Sequence, residues 1–119
     1  MAYDEAVEKA RIALANEGFG ILSEINVTET IRQKLEKDFR KYLIIGTCNP
    51  QIAYKAFTVE TEIGLLMPCN LIVYENDEGG CTVSAVDPVI AMSMIENPAL
   101  ALIAKEVRER MEKIITSLN

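Results

Sequence analysis

Tyr42-Leu43-Ile44-Ile45-Gly46-Thr47-Cys48-Asn49-Pro50 is the most informative run in the chain. Its opening residues are few and apolar on both alternating sets, the pattern of a central strand. Asn49-Pro50 then reads as a helix start. An Asn side chain at the cap accepts a free backbone N–H, and Pro at the first helical position lacks only an N–H that had no partner. A second run, Ile63-Gly64-Leu65-Leu66-Met67-Pro68-Cys69-Asn70, continues as a strand through Leu71-Ile72-Val73-Tyr74. Cys-Asn-Pro and Pro-Cys-Asn are near mirror images, some twenty residues apart. Gly46 and Gly64 leave room for a ligand or another backbone to approach.

The flanks supply a layer of helices. Residues 4–16 carry Val7, Ala10, Ala13 and Leu14 on one helical face, and Gly18 suits the left-handed conformation that ends a helix. Residues 19–25 read as a strand with Phe19, Ile21, Ser23 and Ile25 on one face. Asn26 caps a second helix, with Glu29 at the capping-box position, and Val27, Ile31, Leu35 and Phe39 form its expected buried stripe. Lys34, Lys37, Arg40 and Lys41 make a basic cluster, read as a solvated face rather than an anion site. Residues 76–80 are a polar turn, and residues 81–86 are the hairpin partner of the strand before it. Asp87-Pro88 and Asn97-Pro98 repeat the Asn49-Pro50 start signal. The last helix, residues 98–118, holds Leu100, Ile103, Ala104, Val107, Met111, Ile114 and Leu118 on one stripe. Strands and helices that mix without strict alternation predict a single α+β domain over residues 1–119, with an antiparallel-type sheet covered on one face by helices and a long C-terminal helix.

Composition narrows the function classes. A net charge of −6 in 119 residues argues against nucleic acid and against anionic membrane surfaces. No apolar run approaches the roughly 18 residues that span a bilayer. The N-terminus lacks a basic start followed by an apolar core, and three cysteines do not form a disulfide framework, so a cytoplasmic, reduced protein is expected. Zero histidines removes Ser-His-Asp and Cys-His catalysis and the commonest zinc ligand. No Gly-rich phosphate loop, nucleophile elbow or metal-ligand spacing is present, so no cofactor is expected. Carboxylates offer a weaker enzyme reading: Glu60 and Glu62 precede the second Cys word and Asp87 sits at a helix start, but nothing places two of them together, and Asp87 is better read as an N-cap.

At Cys48-Asn49-Pro50 and Pro68-Cys69-Asn70 the chain resembles the family called "domain of unknown function 302". The likeness extends through Gly18-Phe19-Gly20-Ile21-Leu22, Glu24-Ile25-Asn26-Val27, Ile63-Gly64-Leu65-Leu66 and Asp87-Pro88. The resemblance implies a TATA-binding-protein-like α+β fold, in outline β-α-β-β-β-β-α, and a homodimer. It implies no DNA binding, since a fold does not carry a function. Only residues 1–3 remain for the strand that relatives place before the first helix, so that edge strand is expected to be very short or missing.

Three readings of the two words compete. In the first, Cys48 and Cys69 are partners in a thiol, redox or small-ligand site. Cys48 lies just before a helix N-terminus, where partial positive charge would lower its pKa, and Asn49, Pro50, Pro68 and Asn70 orient the loops or the ligand. In the second, the thiols hold a soft ion such as Cu(I), with Met67 or Met92 assisting. In the third, the words are packing and turn formers of a non-catalytic homodimeric module. Cys81 lies outside both words and reads as packing. The paired readings require the two strands to be antiparallel neighbours, so that both thiols lie at one end of the sheet.

Overall fold

The structure is a computed structural model that describes residues 1–118. Its elements are α1 (Tyr3–Asn16), β1 (Gly20–Asn26), α2 (Val27–Leu35), β2 (Tyr42–Cys48), α3 (Pro50–Val59), a 3-10 turn (Thr61–Leu66), β3 (Cys69–Glu75), β4 (Cys81–Ala85), α4 (Pro88–Met92) and α5 (Pro98–Ser117). Local chemistry sets most of their boundaries. Asn49 Oδ1 accepts from Ile52 N at 3.3 Å, Asp87 Oδ1 from Val89 N at 2.9 Å, and Asn97 Oδ1 from Ala99 N at 3.1 Å. Each of these three helices has Pro at its first position, as the repeated Asx-Pro signal predicts. Asn26 caps α2 through Glu29 N at 3.0 Å, and Gly18 closes α1 at φ 79°.

The four strands lie in the order β1-β2-β3-β4, and every neighbouring pair is antiparallel. β2 is therefore central, as its two-sided apolar sequence requires. Leu43, Ile45, Leu71 and Val73 point into one core with α1 and α5, and all four are buried. The stripe of α5 supplies Leu100, Ala104, Val107, Met111 and Ile114, and α1 supplies Ala6, Val7, Ala10, Ala13 and Leu14. A fully buried Leu or Ile contributes roughly 1.5–3 kcal/mol relative to exposure, so these two stripes hold the helical layer on the sheet. The other sheet face places Ile25, Ile44 and Ile72 in one register row and stacks Tyr42 on Tyr74, with ring centroids 5.3 Å apart.

Two expectations need correction. β1 does not alternate regularly: Ile21 pairs with Thr47 but Ser23 pairs with Gly46, so one extra residue enters β1 between them. The bulge moves Ile21 to the face opposite Ser23 and Ile25. The second helix also has no buried stripe. It ends at Leu35, with Glu36 in the left-handed region at φ 54°, and Leu35 and Phe39 are exposed. Its chief packing neighbour is β2, so Val27 and Ile31 reach only half burial and no second layer covers the rest. Among the described residues no strand precedes α1, in keeping with the short stretch available there.

Candidate functional site

The register of β2 against β3 brings the two Cys words together. Thr47 pairs with Cys69 and Gly46 with Asn70, so Cys48 lies one residue beyond the Thr47–Cys69 pair, at the same end of the sheet. This is the antiparallel arrangement that a paired site requires. A narrow crevice opens there between the sheet end and the helical layer. Cys48, Asn49 and Cys69 line it, and Met67, Met92 and Phe19 complete much of its wall. Ala53 and Ala56 of α3 leave the space, because neither side chain reaches across it. The cavity measures about 10 Å³. That is room for about one water molecule.

The six residues of the two words divide. Cys48, Asn49 and Cys69 face the crevice, whereas Pro50, Pro68 and Asn70 do not line it. Pro50 is exposed and starts α3. Pro68, just before β3, and Ser23 of β1 crowd Gly46, with Asn70 in ordinary contact: a Cβ on Gly46 would lie 2.9 Å from Pro68 Cγ and would also meet Ser23 Oγ. The glycine is there for its neighbours' side chains, and not for a ligand. A Cβ on Gly64 would make only ordinary contact with Phe57, so that glycine is not sterically required.

Asn49 is almost wholly buried, and both ends of its amide are bonded. Its Oδ1 caps α3, and its Nδ2 donates to the Glu17 carbonyl at 3.5 Å. Arg110 Nη1 donates to the same carbonyl at 3.1 Å. One peptide oxygen thus joins the end of α1, the start of α3 and the middle of α5.

The thiols are not activated. Burial pushes the Cys48 thiol above its ordinary range. The Cys69 thiol is pushed up to about 11, first by burial and then by the neighbouring Cys48. Burial also raises Cys81, with Glu75 adding to the effect. The lowering expected for Cys48 from the helix terminus does not prevail. Cys48 precedes the cap residue, and the Asn49 side chain already accepts the nearby Ile52 N–H. Both crevice thiols are therefore protonated at neutral pH. Among the described residues no three of Cys, Asp and Glu cluster in a way that could hold a metal ion. Glu60 Oε2 accepts from Glu62 N at 3.2 Å, a local cap, and neither carboxylate lines the crevice.

Met67 and Met92 were legible only as optional thioethers, and Phe19, Ala53 and Ala56 not as site residues at all. Small residues on a helix mark a gap only once the helix has been docked. Among the described residues, no helix is long and apolar enough to cross a membrane.

The family described as "Domain of unknown function DUF302" matches residues 1–118. The fold is similar to the crystal structure of an uncharacterized conserved DUF302 protein from Bacillus stearothermophilus. The two chains are 29% identical with a TM-score of 0.92, over 100% of this chain and 92% of the other. No curated protein matches the sequence. Family match, structural likeness and the paired Cys words agree, and the chain belongs to the DUF302 family.

Proposed function

We propose that the crevice is a binding site for a small soft or apolar ligand, with Cys48 and Cys69 as contact groups rather than nucleophiles. One observation carries the reading: the cysteines of two words on separate strands converge on a single cavity whose lining, Asn49 apart, is sulfur and hydrocarbon. Burial holds both thiols protonated, which disfavours thiolate chemistry and favours neutral contact. Asn49 fixes the start of α3 beside the ligand, Pro50 sets the direction of that helix, and Pro68 and Asn70 hold the entry of β3. The unbranched side chains of Met67 and Met92 would move to admit a guest larger than water. The setting is a reducing, cytoplasmic one in which the thiols stay free.

Xenon and benzene are suitable probes, because dry apolar cavities accept them. Amide shifts in labelled protein are expected at Phe19, Cys48, Asn49 and Cys69, and Ala53→Leu, which fills the crevice, is expected to abolish them. Shifts confined to other regions, or shifts that persist in Ala53→Leu, would overturn the reading.

A second reading is favoured by a different observation. The Ile25–Ile44–Ile72 row lies on the sheet face opposite the core, and Ile25 is 49% exposed. A homodimer that covers this row would make the protein an assembly module. Sedimentation equilibrium decides it, since a monomer at every accessible concentration excludes the module.

A further inference from the structure

We propose that the crevice is a Cu(I) site formed by the sulfurs of Cys48, Cys69, Met67 and Met92. The inference rests on the reading of this crevice as a binding site and names its ligand class. Four sulfur side chains, from the end of β2, the residue after the 3-10 turn, the start of β3 and α4, line one cavity. The chain has eight Cys and Met residues in all, so half of its sulfur is gathered at one place. At about 10 Å³ the cavity admits an ion as it stands, and a larger guest only when Met67 and Met92 move.

The donor set selects the ion. Thiol and thioether sulfurs are soft and suit Cu(I), whereas carboxylates and carbonyls suit hard cations. No carboxylate lines the crevice and the chain has no His, so Mg²⁺, Ca²⁺ and a His-bound Zn²⁺ lack their usual donors. Charge fixes the stoichiometry of protons. An apolar cavity disfavours net charge. One Cu⁺ that displaces one thiol proton leaves a neutral copper–thiolate, and the proton goes to solvent. The metal's own charge drives that deprotonation even at a buried thiol. The second thiol and the two thioethers then serve as neutral donors, and no electron is transferred.

The test uses the whole chain, fully reduced and free of oxygen, titrated against the coloured Cu(I)–bicinchoninate complex. The protein is expected to withdraw one equivalent of Cu(I), to release one proton per ion, and to show only sulfur neighbours by X-ray absorption. Cys48→Ser is expected to weaken binding by about a hundredfold, and the Met67→Leu/Met92→Leu pair by about tenfold, on the scale of lost metal-site interactions. Cys81→Ser is expected to leave it unchanged. Because Cys69 is a core residue, the methionine pair decides the matter, with unaltered circular dichroism as its check on folding. No withdrawal from the chelator, an affinity unchanged in the methionine pair, or withdrawal lost with Cys81 would overturn the assignment. Xenon and benzene separate the two levels. Crevice shifts without copper uptake sink the metal assignment alone, and the absence of both sinks the binding site as well.

Discussion

At the scale of the residue, Cys69 and Gly46 carry the sharpest consequences. The Cys69 thiol titrates near 9.0 when free and at about 11 in the fold. The neutral thiol is thus the form that the folded state prefers. Its contribution is complete below the unfolded value and is lost as pH rises from about 9 to about 11, a loss of at most roughly 2–3 kcal/mol. Urea midpoints measured across that window should fall in the native protein and fall less in Cys69→Ala. Equal slopes would show that the thiol is freely solvated. Gly46→Ala should destabilise by about 1–3 kcal/mol, because its Cβ would overpack against Pro68 and Ser23. A urea midpoint unchanged by this substitution would show that the strands part easily there. The sequence marked Gly46 as a place of close approach, but the partners were invisible in it, since they come from β1 and from the residue before β3.

At the scale of the element, the caps were the most legible feature of the chain. Asx-Pro at three helix starts is local chemistry, written within four residues, and all three helices begin where it stands. Asn26→Ala, at the start of α2, should cost about 1 kcal/mol, the ordinary value of a cap. Asn49→Ala should cost more, roughly 2 kcal/mol or above, because the same side chain caps α3 and donates to Glu17 O from a buried position. Thermal melts of the two variants give the comparison, and equal losses would mean that the Glu17 bond is inert. The period of α2 was legible and its burial was not. Val27, Ile31 and Leu35 recur as a buried stripe would, yet a stripe is buried only where another element faces it, and α2 has little beyond β2. The β1 bulge was hidden for a related reason: alternation in one strand does not reveal a residue that its partner leaves unpaired.

At the scale of the whole molecule, the sheet has two unlike faces, with helices on one and the Ile25–Ile44–Ile72 row on the other. If that row is a homodimer contact, Ile44→Lys should produce a monomer while leaving the helix content unchanged, because the core lies on the other side. Sedimentation equilibrium of both proteins gives the answer, and a dimer that survives Ile44→Lys places the contact elsewhere. Architecture at this scale followed from sequence because the strands are sequential neighbours and one long stripe, that of α5, could serve only as their cover. The convergence of sulfur on one cavity did not follow, since α4 reaches the crevice only through the docking of helices. The Glu17 carbonyl, shared by Asn49 and Arg110, also has a meaning in time. On the ribosome the sheet is complete once Ala85 has emerged, but its core face lacks the cover of α5 until Pro98–Ser117 follows. Arg110 then joins a carbonyl that left the tunnel long before it, so the emergence of α5 is also the moment when the nascent sheet stops being sticky.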